Sequence, residues 1–431
     1  VFPKSRDKCQ SPPGGKETDH TGKTSGSDPV GSLDPRPDGQ ALCVVGIGAS
    51  TGGLEALQQL FKHLSGDCRA SFVVIQHLSP HHKSAKDQLL SRTTPLPVVQ
   101  IKNNLKIEPG RIYINPPDSF VSMSNGNFRV TPPRVPASGV SLSIDYFFDS
   151  LADAMGTRAI GVILSGSARD GTKGVMAVKS AGGLTVAQSP VDAKYSSMPE
   201  SAIATRMVDF VLPAKAIAGK LADIFKHPYL SKAVTPPPDE KDLDVNLEQV
   251  FAILRNKTGH DLSAYKTVSI RRRIAQRMAV HQLHRMTDYV RVMANDPVEP
   301  GRLLKDMFIG VTGFFRDPAS FEALKEKVLI PLLRSRTKGD DSVRVWVAGC
   351  STGEEAYSIA ILLAEAMEQV GVNTAVQIFA SDIDPDMVRS ARMGVYLENI
   401  AADVSSQRLS RFFTRSNDSF KVKKTIRNCI V

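Results

Sequence analysis

No apolar run in this chain approaches the ~18 residues that a membrane-crossing helix needs, and the first residues lack the basic-then-apolar pattern of a secretory leader. Cysteine is scarce: Cys9, Cys43, Cys68, Cys350 and Cys429 are odd in number, widely spaced and without a CxxC pair. That argues against a disulfide framework and a cysteine-ligated zinc site, and for a reducing, cytoplasmic setting. Heptads and internal repeats are also missing, which removes coiled coils and solenoids. A chain opening on Val1 rather than Met reads as a fragment.

What is there is ordinary globular material. The 431 residues are 42% hydrophobic and 23% charged, enough for two or three domains. Residues 1–40 are the exception: rich in Pro, Gly, Ser and Thr, they read as a disordered leader. From Ala41 to Pro228, short β-branched runs alternate with helical patterns. The runs are Cys43–Ile47, Phe72–Ile75, Ile112–Ile114, Ala159–Leu164 and Leu184–Val186. Runs polar on neither face predict a doubly wound, mainly parallel α/β sheet. Arg111 to Pro133 holds strands, turns and prolines without a helix, so a hairpin insertion is expected there. A Pro-rich charged linker (229–245) leads to an all-helical segment (246–316). Residues 317–431 then open a second, Rossmann-like α/β unit on Val343–Ala348 and Ala375–Ala380.

The first constellation is Gly46-Ile47-Gly48-Ala49-Ser50-Thr51-Gly52-Gly53, after a buried strand and before the amphipathic run Leu54–Leu64. As a dinucleotide fingerprint it fails at Thr51 and lacks an acid at the end of the second strand. As a tight turn presenting a hydroxyl it is coherent, although a serine that merely caps the helix fits the same residues. The neighbouring runs break the tie. Phe72–Gln76 ends in His77, and Ala159–Leu164 leads through Ser165-Gly166-Ser167-Ala168-Arg169 to Asp170. Three strand ends would bring Ser50, His77 and Asp170 to one sheet edge, as a serine hydrolase requires. The order Ser, His, Asp is not that of α/β-hydrolases. His81 and His82 lie close to His77, but no carboxylate or cysteine nearby completes a metal set, so no metal is expected. Gly166–Lys173 misses the phosphate-loop pattern, ending Thr172-Lys173.

Gly46–Leu57, Gln76-His77, Leu164–Gly174 and Met198–Ala202 together resemble the catalytic domain of bacterial chemotaxis methylesterases, over about residues 41–228. The resemblance implies hydrolysis of glutamate γ-methyl esters on chemoreceptors, with possible deamidation of glutamines and no cofactor. It makes Ser50 the nucleophile, His77 the base, Asp170 the third member, and the Ser167 backbone N–H an oxyanion donor. Ser167 stands where the family commonly has methionine, and Ala168 where it has glycine.

The second constellation is Val345-Trp346-Val347-Ala348-Gly349-Cys350-Ser351-Thr352-Gly353-Glu354-Glu355, followed by a strand ending in Ser381-Asp382-Ile383-Asp384. A small-residue loop lets a nucleoside approach the backbone, and an acid at the next strand end suits a ribose diol. Either alone reads equally well as a turn with a capping Asp. With Val311–Asp317, these stretches resemble chemoreceptor glutamate methyltransferases over about 245–431. That implies S-adenosylmethionine as cofactor, and cofactor-binding roles for Thr312, Arg316, Glu355 and Asp382. Gly310 stands where the family often has asparagine.

The formal charge of +10 concentrates partly between Asp261 and Asp288, where Lys266, Arg271, Arg272, Arg273, Arg277 and Arg285 occur with no acid. Helical spacing sets Arg273 and Arg277 on a face apart from Ile270, Ile274 and Met278. Nothing there matches a nucleic-acid motif. The resemblance assigns Arg273 and Arg277 to binding the acidic region of a receptor, whereas a solvated face is the plainer reading. The combined expectation is a fused esterase and methyltransferase, with a non-catalytic scaffold keeping both folds as the alternative. Because Cys429-Ile430-Val431 reads as the start of a further strand, the methyltransferase sheet is expected to be incomplete. Exposed apolar faces near Val345 and Ile378, and weak cofactor binding, would follow.

Overall fold

The computed structural model describes residues 42–431 apart from 67, 69, 78–88, 133–141, 168, 228, 230–239, 309, 311, 336–341 and 417–418. The expected leader, the His81–His82 pair and most of the Pro-rich linker lie outside the described residues. The described residues all belong to one compact unit.

The first part is built on β1 (Val44–Ala49), α1 (Gly53–Lys62), β2 (Ser71–Gln76), β3 (Val98–Gln100) and β4 (Ile112–Ile114). The hairpin β5 (Phe120–Ser124) and β6 (Asn127–Thr131) follows, then α2 (Ser143–Met155), β7 (Ala159–Ile163) and α3 (Thr172–Ser180). β8 (Leu184–Gln188), α4 (Ser197–Ala204), β9 (Phe210–Leu212) and α5 (Ala214–Lys226) complete it. Seven strands lie in the order β3-β4-β2-β1-β7-β8-β9, every neighbouring pair parallel. The hairpin stands apart as its own two-stranded sheet. β1, β2, β7 and β8 are buried along their whole length, because helices cover both faces. α1 and α5 close one side with Leu57, Leu60, Ile217 and Leu221; α2 and α3 close the other with Phe147, Phe148, Leu151, Val175 and Val178. Each such side chain contributes roughly 1.5–3 kcal/mol by leaving water.

The chain leaves β1 toward β2 on one side and returns beside it as β7 on the other. That reversal opens a crevice at the carboxyl ends of the three central strands.

Four helices follow: α6 (Glu240–Thr258), α7 (Thr267–Val280), α8 (Met286–Asn295) and α9 (Glu299–Met307). Their core is Val250, Leu254, Ile270, Ile274, Tyr289, Met293 and Leu303. After α10 (Pro318–Leu324), a π-turn (Lys325–Leu329) and α11 (Ile330–Arg334) comes the last unit. It runs β10 (Val343–Ala348), α12 (Glu354–Val370), β11 (Val376–Ser381) and α13 (Pro385–Met393). An antiparallel sheet of β12 (Val395–Leu397), β14 (Ser419–Val422) and β13 (Phe413–Ser416) packs beside it. β10 and β11 are parallel, and Ile430 forms an isolated parallel bridge with Ile378. Ile378 itself is buried. The exposed large apolar side chains of these strands are Trp346, 73% accessible, and Phe379, 40% accessible.

The helical domain holds a buried charge cluster. Glu299, fully buried, accepts from Arg277 Nε (2.8 Å) and Nη2 (2.5 Å), from Tyr289 OH (2.9 Å), and pairs with His281 Nε2 (2.9 Å). Burial opposes ionisation of this carboxyl, yet the hydrogen bonds from His281 and Arg277 hold its pKa down to about 2. An unfolded glutamate titrates near ~4.3, so its stabilising contribution is complete above that value and is lost as pH falls toward about 2. Glu299→Gln strands the Arg277 guanidinium, so denaturant unfolding at pH 7 should show a loss of about 3–5 kcal/mol. Acid titration of the variant should lack the wild-type fall in stability between pH ~4.3 and ~2.

Candidate active sites

At the carboxyl end of β1 the chain turns sharply into α1. Gly52, at φ +74°, is the left-handed residue of that turn and N-caps α1. A Cβ there would stand 2.8 Å from Ser165 Oγ and 3.0 Å from Tyr195. Ser50, two residues earlier, is not among the positive-φ residues, so the strain of an α/β-hydrolase elbow is absent. The turn is stitched to the loop after β7: Ser50 N donates to Ser165 O (3.0 Å), and Ser165 Oγ donates to Thr51 O (3.0 Å). Gly166 lies against Met198, where a Cβ would meet Sδ at 1.9 Å.

The three residues expected at this edge converge on it. His77 Nδ1 is 3.3 Å from Ser50 Oγ, and His77 Nε2 is 2.8 Å from Asp170 Oδ2. The imidazole is part-exposed, whereas the Asp170 side chain is 1% accessible. Asp170 also accepts from Ile144 N (2.8 Å) on Oδ2, and from Asp145 N (2.8 Å) and Gly171 N (2.9 Å) on Oδ1. Two of those donors open α2, so the carboxylate sits at a helix N-terminus whose free N–H groups and dipole favour negative charge. With Asp170 accepting, Nε2 carries the proton and Nδ1 faces the serine as an acceptor. Ser167 is close by, its Oγ 3.1 Å from Thr51 Oγ1.

Several supporting residues escaped the sequence reading. Asn115, just beyond β4, accepts from Gln76 N (2.9 Å) and donates to Gln76 O (3.1 Å), fixing the residue before His77. Gln188 accepts from Ser165 N (2.9 Å) and is itself held by Asp192. Asp145, fully buried, accepts from Gly174 N (2.7 Å), while its Oδ2 has no hydrogen-bond partner. Burial first, and then the Asp170 carboxylate, push Asp145 well above the usual carboxylate range. Among the described residues Asp170 takes four hydrogen bonds, whereas Asp145 accepts one, from Gly174 N. A polar residue at the end of an apolar run, as Asn115 and Gln188 both are, is the signal that could have found them.

In the last unit the glycine loop forms as expected at the carboxyl end of β10. Gly349, Ser351 and Gly353 have positive φ, and an ideal Cβ on Gly349 would meet nothing within 4 Å. The backbone there borders open space, which is what a nucleoside needs. Asp382 lies at the loop, its Oδ2 accepting from Ser351 N (2.7 Å) and Oδ1 from Asp384 N (2.9 Å). The Thr312–Arg316 segment is anchored by buried Phe314 and Phe315; an ideal Cβ on Gly310, just ahead of it, would stand 3.8 Å from Ser351 Oγ. Glu355 is exposed on the first turn of α12. Cys350 is buried, and burial raises its thiol, so it packs rather than reacts.

Arg273 and Arg277 require correction. Both are buried, 6% accessible. Arg277 is taken by Glu299, and Arg273 donates to Lys179 O (2.8 Å) and Ser180 O (3.0 Å) of the first domain. The face of α7 that helical spacing assigned to solvent is covered by α3 and α9, so neither guanidinium is presented to an external acidic segment.

Three family models match the chain in succession: CheB methylesterase over residues 45–221, CheR methyltransferase all-alpha domain over 246–308, and CheR methyltransferase SAM binding domain over 310–431. The chain is a CheB methylesterase domain fused to CheR methyltransferase domains. An uncharacterized 104.1 kDa protein of Rhodobacter capsulatus is 36% identical over 365 residues, covering 80% of this chain and 38% of that protein. The protein-glutamate methylesterase/protein-glutamine glutaminase of the group 3 operon of Rhizobium meliloti is 33% identical over 181 residues, 42% of this chain and 51% of the relative. This chain therefore spans about half, or less, of the length of these relatives. The Thermotoga maritima CheB methylesterase catalytic domain, a crystal structure, is 31% identical, matches 43% of this chain and 99% of its own length, with a TM-score of 0.41.

Gly52→Ala forces a methylated residue into a left-handed turn already filled by Ser165 and Tyr195. It should cost about 1–3 kcal/mol in denaturant unfolding. It should also slow labelling of Ser50 by a fluorophosphonate probe.

Proposed function

We propose that the CheB-type domain hydrolyses glutamate γ-methyl esters, and deamidates glutamines, on the cytoplasmic part of chemoreceptors, and that the CheR-type domains methylate receptor glutamates. The observation that carries the first half is the Ser50–His77–Asp170 hydrogen-bonded chain at the crevice of the sheet. Relatives named protein-glutamate methylesterase/protein-glutamine glutaminase support the choice of ester and amide.

His77 Nδ1 takes the Ser50 proton as Oγ attacks the ester carbonyl, and Asp170 stabilises the imidazolium without being protonated. The tetrahedral oxyanion forms beside Ser167, whose backbone N–H is the donor this reading assigns. Collapse releases methanol with the proton from His77. Water, activated by the same imidazole, then hydrolyses the glutamyl-enzyme. No metal or cofactor is required for any of these steps.

The open backbone at Gly349 and the acid at Asp382 fit an adenosine group, so Thr312, Arg316, Glu355 and Asp382 would hold S-adenosylmethionine. Bound there, that cofactor supplies an electrophilic methyl group. The chain's part is to hold the receptor carboxylate in line with it, a matter of proximity rather than acid–base chemistry. Such a protein works in the cytoplasm, and among the described residues no helix is long and apolar enough to cross a membrane.

Methanol release from a methylated receptor peptide, assayed with the full chain, tests the esterase. Ser50→Ala should abolish it; undiminished release by the folded variant would overturn the mechanism. Asp170→Asn should lower kcat by about 10³–10⁴. Calorimetric titration with S-adenosylmethionine should show binding that Asp382→Ala removes; equal binding by the variant would remove Asp382 from the cofactor site.

A further inference from the structure

Helix α3 belongs to the esterase domain, yet both methyltransferase domains grip it. At its carboxyl end the last carbonyls have no partner within the helix. Lys179 O accepts from Gly182 N (3.1 Å) just beyond the helix, and Arg273 of α7 adds side-chain donors to Lys179 O and Ser180 O at 2.8 and 3.0 Å. Gln276 of the same helix donates to Gly183 O at 2.6 Å. A buried guanidinium at this position also meets the negative end of the helix dipole. Lys179 itself is buried and pairs with Asp209 (2.5 Å) and with Asp306 of α9 (3.2 Å).

At the amino end, Lys173 Nζ pairs with Asp403 Oδ2 at 2.7 Å. Asp403 follows the 3-10 turn Glu398–Ala402 of the cofactor-binding domain and lies 3.6 Å from the Cβ position of Gly313. Just ahead of the amino-end grip stands the Asp170 carboxylate. Gly171, the N-cap of α3, donates to Asp170 Oδ1, and Gly174 in its first turn donates to Asp145, whose own N–H binds Asp170. Nine residues of helix, about 13 Å, thus join Arg273 to the residue that orients the base.

We propose that the methyltransferase domains position Asp170 for the esterase reaction by holding α3 at both ends, with Arg273 and the Lys173–Asp403 pair as positioning residues. The inference rests on the esterase reading above. Releasing either end lets α3 move along its axis and carries Gly171 and Gly174 away from the two carboxylates. The Asp170–His77 bond then loses its alignment. Thr51, Ser167 and Tyr195, which border Ser50, are untouched, so the loss falls on kcat and not on KM.

The test uses the full chain, methylated receptor peptide and five variants: Lys173→Met, Asp403→Asn, their double, Arg273→Met and Arg273→Lys. Each of the first two should lower kcat by up to about tenfold at unchanged KM, and the double should be no slower than either single. Arg273→Met should behave likewise, and Arg273→Lys, which keeps a cation able to reach one carbonyl, should recover part of the rate. Wild-type kcat in Lys173→Met and Asp403→Asn, or losses that simply multiply in the double, would overturn the inference. Should Arg273→Met fail to fold, the part-exposed Lys173–Asp403 pair still decides. Hydrogen exchange at the Gly171 and Gly174 amides keeps the inference separate from the esterase reading. If the wild-type chain releases no Ser50-dependent methanol, that reading fails, and unchanged exchange in Lys173→Met then fails the positioning by α3 as well.

Discussion

A single buried carboxylate organises the first half of this molecule. Asp170 reaches the sheet edge at the end of a loop. There it gathers the first N–H groups of α2, the N–H of the residue that caps α3, and the imidazole of His77. Charge-assisted hydrogen bonds of this kind are about twice as strong as neutral ones, and leaving such an acceptor unpaired in the interior is costly. Two helices and the loop after β2 are therefore held to one point. The serine needs no comparable anchor, because its turn is shaped by the tight fit of Gly52 and by the loop after β7. Asp145, buried beside it, has fewer hydrogen-bond donors, and burial followed by the Asp170 carboxylate pushes it well above the usual carboxylate range.

A similar economy joins the domains. Carbonyls at and just beyond the end of α3, those of Lys179, Ser180 and Gly183, accept side-chain donors from α7 of the helical domain. Ala279 of the same helix enters the apolar core of the esterase domain. Of the charged residues around it, Lys179 pairs with Asp306 across the junction, while Arg277 pairs with Glu299 and Asp306 within the helical domain. In a low-dielectric setting such networks penalise any arrangement that leaves one member alone. The two enzyme families meet here through interior chemistry, where independent surface domains would meet through solvated contacts.

Much of this was legible in the residues. Continuous apolar runs such as Phe72–Ile75 and Ala159–Leu164 announced strands buried on both faces, and glycine-rich turns after two of the runs announced sites. Ser50, His77 and Asp170 could be placed at one edge because a parallel sheet puts all its strand ends together. The three-residue strands β3 and β9 were not legible. At the sheet edges and half-exposed, they carry too little pattern to distinguish them from loop. The same limit applied to α7, whose arginines look like a solvated stripe when only helical spacing is considered.

What the sequence alone determined is therefore periodic or local: which runs are buried, where the tight turns fall, which chemistry-bearing side chains end a strand. Those features depend on a few neighbouring residues and on the geometry of helix and strand. The tertiary structure decided the partners. The bond from Ile144 N to Asp170, the carbonyls that Arg273 caps and the pairing of Lys173 with Asp403 connect residues from 26 to 230 positions apart. No local pattern encodes them, because a buried charge is stabilised by whatever the fold brings to it.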